Sequence, residues 1–169
     1  MSISIIKYSD EYEVDVIKLL MQYSKVLSDD YITCNTVKAC YESLQEMKSR
    51  IWIALDDEKF FGFFSIYDIY FNHSCYLVGA SKRKINPQKT RAAFNMMLNI
   101  LYNDFNFIKI CATPNIDNIA SQRILKNLNF KREGFIKGAT LIDGKLKDRL
   151  LFSKINKKYL TNINTKKGY

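Results

Sequence analysis

Three absences limit what this 169-residue chain can be. No stretch approaches the roughly 18 uninterrupted apolar residues that a membrane-spanning helix requires, so no membrane partner is expected. The first residues, MSISIIKYSDEYEV, lack the basic start and apolar block of a secretory signal, which favours a cytoplasmic protein. The cysteines show neither metal-binding spacing nor the density of a disulfide scaffold. We therefore expect no metal, and reduced, mostly buried thiols at Cys34, Cys40, Cys75 and Cys111.

Acidic residues are absent between Ile69 and Asn103, although the whole chain carries 17 Asp and Glu. Residues 1 to 58 hold 11 of them against 6 Lys and Arg, whereas the remainder holds 6 against 20. The positive charge therefore lies in the C-terminal two thirds and would attract an anionic ligand there. Nucleic acid, a phosphorylated cofactor and simple solubility all fit the five clustered cations Lys82, Arg83, Lys84, Lys89 and Arg91.

Glycine is also absent between Gly79 and Gly134. The segment SKRKINPQKTRAAF, residues 81 to 94, follows a strand-like run and opens a helix-like one, where α/β proteins often bind phosphate. Asn86 is expected to cap this helix, with Pro87 at its first position. Backbone N–H groups approach phosphate most closely at glycine. A phosphate site here would depend on side-chain cations, and a solvated basic face is the alternative.

Hydrophobic periodicity and turn residues predict the element order β, α, α, β, β, β, α, β, α, β, β. Thr36 is expected to cap the second helix, and Asp143-Gly144 is a strong hairpin signal. The order predicts an α/β protein with a mixed, helix-covered sheet and a ligand site where strand ends meet a helix N-terminus. Residues 1–156 are expected to form one domain, followed by a frayed basic tail over 157–169. The first helix is predicted to carry one apolar face formed by Val14, Ile17, Leu20 and Met21.

The segment NIDNIASQRILKNLNFKREG, residues 115 to 134, resembles the acetyl-CoA-binding end of the GNAT N-acetyltransferase superfamily. The usual form there is Asn, two residues, Ser or Ala, a short helix ending in Lys-Leu-Gly-Phe, and then Glu-Gly. Downstream, GFIKGATLIDGKLKDRLLFSKI is similar to the last two strands of the branch that acetylates ribosomal-protein N-termini, polyamines and amino-sugar nucleotides. The matching residues are Asn118, Ser121, Leu125, Leu128, Phe130, Glu133, Gly134, Asp148 and, upstream, Gly62.

The resemblance implies a GNAT-like fold of class α/β (α+β), with a mixed, mostly antiparallel sheet of about seven strands and about four flanking helices. It also implies acetyl-CoA as co-substrate, with its pantetheine arm beside the fourth strand. Backbone N–H groups from Gly79 to Lys82 could then face the thioester oxygen. The cofactor-binding residues implied are Ala80, Ser81, Lys82, Arg83, Lys84, Asn86, Gln88, Lys89, Thr90, Asn118 and Ser121.

The chain departs from the superfamily pattern at three places. The pyrophosphate loop of the superfamily reads Arg or Gln, two residues, Gly, one residue, Gly or Ala, whereas this chain has Arg83 with Asn86 and Gln88 in the glycine positions. Many relatives place a tyrosine, which could protonate the leaving thiolate, where this chain has Leu125. Asn129 replaces a glycine, and Asn is the mildest substitute if a left-handed conformation is required.

Catalytic residues are less clearly indicated than the fold. Ser121 or water could replace the missing tyrosine, because a thiol is already a fair leaving group. Asp68, at the end of the third strand, and His73, in the following turn, are the candidate bases, and a surface turn residue is the alternative for each. Phe71 and Tyr76 are expected in the core rather than on a base-stacking platform, so no motif supports a nucleic-acid partner.

Two functions therefore compete. The first is an acetyl-CoA-dependent N-acetyltransferase acting on a primary amine, such as a protein N-terminus, a polyamine, an amino sugar or another small amine. The second is a non-catalytic or degenerate binding module of the same fold for a polyanion or a protein partner. The acceptor side is expected between residues 25 and 46, which match no motif, and a homodimer is compatible with both functions.

Overall fold

A computed structural model describes residues 2–24 and 36–164 of the chain. Its element order confirms the predicted order and adds a helix at the C-terminal end. Two short 3-10 helices, Asp10–Tyr12 and Lys48–Arg50, flank the first two α-helices. The strands and helices are β1 Ile3–Lys7, α1 Glu13–Gln22, α2 Val37–Met47, β2 Ile51–Asp56, β3 Lys59–Tyr70, β4 Ser74–Ser81, α3 Pro87–Asn103, β5 Lys109–Ala112, α4 Ile119–Asn127, β6 Lys131–Ile142, β7 Lys145–Ile155 and α5 Lys157–Asn164.

The seven strands form one sheet in the order β1-β2-β3-β4-β5-β7-β6. Every neighbouring pair is antiparallel except β4 and β5, which run parallel. The parallel pair follows from α3, which carries the chain back across the sheet between the two strands. The structure thus confirms the predicted α+β class, with its seven-stranded, mostly antiparallel sheet.

Helices cover the two faces of the sheet unequally. On one face, α3 and α4 pack over strands β2 to β7 through a large core that includes Phe64, Met97, Ile110 and Phe152. On the other face, α1 and α2 pack over the β2 and β3 side through a smaller core. That smaller core contains no described residue of β5, β6 or β7, so the second face has a half that the described helices leave uncovered.

Local sequence signals set the ends of several elements as predicted. The side chain of Thr36 accepts a hydrogen bond from the Ala39 N–H group at the start of α2. Asn86 caps α3 in the same way, with Pro87 as the first helical residue. Both residues of the Asp143-Gly144 turn have positive φ, 52° and 70°, as a two-residue hairpin loop requires.

Two expectations about exposure were wrong. The buried residues of α1 are Val16, Leu19 and Leu20, whereas Val14 is 60% exposed, because the helix contacts α2 and β3 with the adjacent face. Phe71 is 85% exposed, because it lies in the β3–β4 turn beyond the end of the sheet. Residues 157–164, at the start of the predicted tail, form α5, whose first turn is capped by the side chain of Asn156.

Other expectations concern thiols, membranes and metals. Cys40, Cys75 and Cys111 are buried thiols, and Cys34 lies outside the described residues. No helix in the described part of the chain is long and apolar enough to cross a membrane. Over the same residues, no group of three or more metal-ligating side chains occurs.

The C-terminal end of α4 explains the replacement of glycine by Asn129. Asn129 has φ 61°, in the left-handed region, as the sequence suggested. Its N–H group donates to the carbonyl of Lys126, and the N–H group of Phe130 donates to the carbonyl of Leu125, both at 2.9 Å. This is the Schellman arrangement, in which the chain leaves a helix through one left-handed residue. It turns Phe130 into the core beside Leu125.

Substitutions at Asn129 test this helix end. Asn129→Ala should lower the free energy of unfolding by about 1 kcal/mol, because a Cβ without a compensating amide is strained in the left-handed region. Asn129→Gly should stay within about 0.5 kcal/mol of wild type. Urea denaturation measures both, with Asn127→Ala in the last turn of the same helix as the control. Equal stability of the alanine and glycine variants would contradict the account.

Candidate functional site

Strands β4 and β5 pair over only three positions and then separate. The pairs are Ser74 with Lys109, Cys75 with Ile110 and Tyr76 with Cys111. Beyond these pairs β4 continues to Ser81, and β5 ends one residue later at Ala112. A gap therefore opens in the middle of the sheet, at the ends of these two strands, where α3 and α4 subsequently begin.

Each strand is held away from the other by its outer neighbour. β4 remains paired with β3 as far as Gly62 and Ser81. The segment after β5 follows β7, since the Leu150 N–H group donates to the carbonyl of Pro114 and the Ile116 N–H group donates to that of Asp148, both at 3.0 Å. The gap is thus fixed by regular hydrogen bonding on both sides.

Backbone groups of β4 face the gap. The Lys82 N–H group donates to the carbonyl of Phe61 across the β3–β4 pair, at 2.7 Å. Because hydrogen bonding alternates along an antiparallel pair, the N–H groups of Gly79 and Ser81 point away from β3 and into the gap. The carbonyl of Ser81 accepts from the hydroxyl of Tyr23 at 2.9 Å.

Close approach of β3 and β4 explains the glycine on β3. A Cβ at Gly62 would lie 2.5 Å from the carbonyl oxygen of Ala80, and real Cβ atoms do not approach so closely. Any larger residue at position 62 would push β4 toward the gap. Gly62 therefore helps to hold the β4 edge in place.

In the turn after β4 and the helix start that follows it, some of the clustered cations form ion pairs with carboxylates of the described residues and others do not. Lys82 forms an ion pair with Asp15 at 3.3 Å, and Lys89 forms one with Asp56. Arg83 and Lys84 are exposed and have no carboxylate within ion-pair distance among residues 2–24 and 36–164. Of the predicted anion-binding cations, these two are the ones the fold leaves available at the turn.

Backbone N–H groups of the same turn are also available. Those of Arg83, Lys84 and Asn86 have no acceptor in the described part of the chain, whereas the Ile85 N–H group closes the turn over residues 83 and 84. Lys84 has φ 66°, and a left-handed residue in such a turn makes successive N–H groups converge on an anion. Asn86, by contrast, has φ −56°, so its position does not require glycine.

The N–H groups in the first turn of α3 are hydrogen-bonded to Asn86. The Asn86 side chain accepts from the Gln88 N–H group at 2.9 Å, and the Asn86 carbonyl accepts from those of Lys89 and Thr90. These amides are therefore internally bonded. The N–H groups that have no acceptor among residues 2–24 and 36–164 lie before the helix rather than within its first turn.

Residues after β5 build the second side of the gap. Asn118 caps α4 by accepting from the Ser121 N–H group at 3.1 Å, and Ser121 itself is half-buried. Asn115 is buried, and its side-chain oxygen accepts from Arg149 Nε at 3.1 Å. Leu125, at the position of the missing tyrosine, is 5% exposed in the core. The predicted residues Asn118 and Ser121 thus lie at the helix that begins beside the gap.

The uncovered half of the sheet is polar. Strand alternation places Tyr67 on the same face as Phe63, opposite α3 and α4. Its hydroxyl is hydrogen-bonded to the Thr113 hydroxyl at 3.1 Å, and its ring packs against Tyr76 with centroids 5.3 Å apart. We call this surface the polar face; it consists of Tyr67, Tyr76, Lys109, Cys111, Thr113, Glu133, Arg149 and Ser153.

The two candidate bases lie toward the other end of β3 and β4. Asp68 is exposed, with φ 46°, in a bulge where the β3–β4 register shifts between Tyr67 and Tyr70. His73 is exposed in the turn, and its Nδ1 is 3.1 Å from the Ser74 hydroxyl oxygen. Asp68 is adjacent to the polar face through Tyr67, whereas His73 precedes the paired end of β4 and lies away from the gap.

A partly exposed hydrogen-bond network connects β5, β6 and β7. Glu133 accepts from Lys109 Nζ at 2.7 Å and from the Ser153 hydroxyl at 2.5 Å. The hydrogen bond from Lys109, followed by that from Ser153, lowers the pKa of Glu133, and the same bond raises the pKa of Lys109. Asp148 also connects β7 to β6: its side chain accepts from the Gly138 N–H group at 2.7 Å within the β6–β7 bulge.

Comparison with solved structures identifies this arrangement. An acetyltransferase of the GNAT family from Bacillus anthracis superposes with a TM-score of 0.77 at 14% identity, covering 92% of this chain and 95% of that one. The chain has the GNAT acetyltransferase fold. The GNAT-fold neighbours include a ribosomal L7/L12 alpha-N-protein acetyltransferase in complex with coenzyme A, with a TM-score of 0.78 at 12% identity over 92% and 94% of the two chains.

A spermidine N-acetyltransferase from Vibrio cholerae is another GNAT-fold neighbour, with a TM-score of 0.76 at 15% identity over 95% and 98% of the chains. No protein-family model matches the sequence, and no curated protein matches it significantly. The likeness is thus one of fold, and it confirms the fold that the sequence resemblance implied.

The sequence identified the elements around the gap but not all of its polar groups. Neither Tyr67 nor Thr113 was singled out, because their hydroxyls are 46 positions apart in the chain and meet only across β4. The alternation of β3 could have placed Tyr67 on the uncovered face. The link from Glu133 to Ser153 likewise depends on strand pairing that no local motif reports.

The Glu133 network predicts a pH dependence of stability. Glu133→Gln should lower the free energy of unfolding by about 1 kcal/mol at neutral pH, since the charged hydrogen bonds are lost and the pair is partly exposed. A lowered folded-state pKa stabilises above the unfolded-state value and loses this effect as pH falls through the folded value. The difference between wild type and variant, measured by urea denaturation, should therefore disappear under acid conditions. A difference that grows on acidification would contradict this.

Proposed function

We propose that the protein is an acetyl-CoA-dependent N-acetyltransferase. The observation that supports this best is the gap between β4 and β5. It ends at a turn where, among the described residues, two cations have no carboxylate partner and three N–H groups have no acceptor. One end of the gap thus suits a diphosphate, and its edge offers N–H groups to an extended, amide-containing arm. The polar face lies beside the separating strands and supplies the surface for a second substrate.

The turn fits a diphosphate although it contains no glycine. Arg83 can form paired hydrogen bonds to phosphate oxygens, and Lys84 adds a point charge. The N–H groups of Arg83, Lys84 and Asn86 add donors without requiring a glycine at position 86. Lys89 contributes less than the sequence suggested, because its ammonium is already paired with Asp56.

Acetyl transfer here forms one C–N bond and breaks one C–S bond. The amine nitrogen attacks the thioester carbonyl carbon, the sulfur leaves with the bonding electron pair, and one proton passes from nitrogen to sulfur or to water. The chain contributes mainly by holding the reactants together, which is worth several kcal/mol. The N–H group of Gly79 or that of Ser81 can stabilise the developing negative charge on the carbonyl oxygen.

The acceptor is a primary amine, and a protein N-terminus, a polyamine or an amino sugar all remain candidates. The neighbours of the same fold include an acetyltransferase of a ribosomal protein and one of spermidine. Asp68 is the exposed carboxylate at the margin of the polar face and can attract a cationic amine. Ser121, at the start of α4, can donate a proton at the other side of the gap.

A non-catalytic binding module is the second candidate. The observation in its favour is the exposed, unpaired charge of Arg83 and Lys84 in a turn without glycine. Such a turn could bind another polyanion by charge alone, nucleic acid included. The two functions differ in whether acetyl-CoA binds at the gap and in whether its thioester is consumed.

Calorimetric titration separates the two functions. Acetyl-CoA should bind wild type in the micromolar range, about −8 kcal/mol. Arg83→Ala should weaken it about fivefold, which corresponds to about 1 kcal/mol for an exposed charged hydrogen bond. The matched control is Arg132→Ala on β6, which removes the same charge far from the turn and should leave affinity unchanged.

Three results would count against the proposal. No binding at millimolar acetyl-CoA would exclude the acetyltransferase function. Equal weakening by Arg83→Ala and Arg132→Ala would indicate a general field effect rather than a diphosphate site at the turn. Binding without thiol release, with spermidine and with a peptide bearing an N-terminal alanine, would favour the binding module.

A further inference from the structure

A tyrosine hydroxyl lies on the polar face at the point where the two central strands separate. Tyr67 is on β3, directly across from Tyr76 of β4, and Tyr76 belongs to the last β4–β5 pair. The side chain of Tyr67 passes over β4, and its hydroxyl is hydrogen-bonded to that of Thr113, the first residue after β5. The Tyr67–Thr113 hydrogen bond therefore spans β4 at the closed end of the gap.

Two contacts hold this hydroxyl in place. The Tyr67 ring packs on Tyr76 at 5.3 Å, with the planes inclined by 31°. Thr113 is fixed in turn because the next residue, Pro114, is bonded through its carbonyl to the Leu150 N–H group on β7. A phenol held by a packed ring and a positioned partner is pre-organised, which is what electrostatic stabilisation of a reacting group requires.

We propose that the Tyr67 hydroxyl is a second donor to the carbonyl oxygen of the thioester, alongside the backbone N–H groups of β4. This inference rests on the proposed acetyltransferase function. Either hydroxyl of the Tyr67–Thr113 pair can donate. The proposed role requires Thr113 to donate to Tyr67 Oη, which leaves the phenol proton for the oxygen on which negative charge develops. No bond to Tyr67 forms or breaks, and the proton stays on the phenol throughout.

The surroundings of Tyr67 keep it protonated. Burial raises the pKa of Tyr67, while the Thr113 hydrogen bond and Arg149 on β7 oppose this effect and Asp68 and Tyr76 reinforce it. A phenol whose pKa is raised is a poor proton donor to a thiolate but a permanent hydrogen-bond donor. Its role is therefore distinct from that of the leaving-group acid, whose usual position here is occupied by Leu125.

Steady-state kinetics of Tyr67→Phe test the proposal. Thiol release from acetyl-CoA is followed with spermidine or with a peptide bearing an N-terminal alanine, whichever wild type uses faster. The variant should lose about 10²-fold in kcat, as is typical when one oxyanion donor is removed. Calorimetric affinity for acetyl-CoA should stay within twofold of wild type. The ratio of the wild-type kcat to the Tyr67→Phe kcat should be constant between pH 6 and 9.

Matched variants separate this role from a structural one. Tyr70→Phe removes an exposed hydroxyl at the end of β3, away from the gap and outside the polar face, and should leave kcat within threefold of wild type. Thr113→Val should lower kcat about tenfold by releasing the Tyr67 hydroxyl, and Thr113→Ser should restore it. Thr113 is thus a positioning residue, and unchanged near-ultraviolet circular dichroism checks that every variant is folded.

The outcomes distinguish this inference from the function on which it rests. If wild type is active and the kcat of Tyr67→Phe is within threefold of the wild-type value, the role of Tyr67 is overturned but the proposed function is not. A rate ratio that changes with pH would indicate a proton donor instead and would also overturn it. Wild type that releases no thiol with either amine would overturn the proposed function, and the role of Tyr67 would fall with it.

Discussion

The separation of β4 from β5 is the constraint on which the rest of the site depends. Parallel strands of a sheet normally stay paired along their common length, and here they part after three pairs because each is bound more extensively on its other side. β3 holds β4 as far as Ser81, and β7 holds the chain after β5 as far as Ile116. The opening thus results from regular hydrogen bonding, so it does not depend on a flexible loop.

The gap determines what the neighbouring residues can do. N–H groups of β4 are exposed along the gap. One end of the gap lies at the turn between β4 and α3, and the Tyr67–Thr113 hydrogen bond crosses the other end. The absence of glycine matters less in this geometry than the loop pattern suggested. Asn86 has an ordinary φ, and Lys84 takes the left-handed position. The N–H groups that lack an acceptor within the described part of the chain precede the helix.

Local signals in the sequence predicted what depends on local chemistry. The caps at Thr36 and Asn86, the Asp143-Gly144 turn and the left-handed Asn129 follow from the preferences of single residues, and the element order follows from periodicity. Contacts between distant strands could not be read in this way. The pairing of Lys89 with Asp56, and of Tyr67 with Thr113, arises only once the sheet is assembled.

The most direct test of the central claim is an amide chemical-shift titration of the full chain with acetyl-CoA. If the gap and the turn hold the cofactor, the largest changes should occur at the N–H groups of Gly79 and Ser81 and at those of residues 83 to 86, with smaller changes at the start of α4. Changes confined to the exposed lysines of β6 and β7, or spread uniformly over the basic surface, would contradict the account.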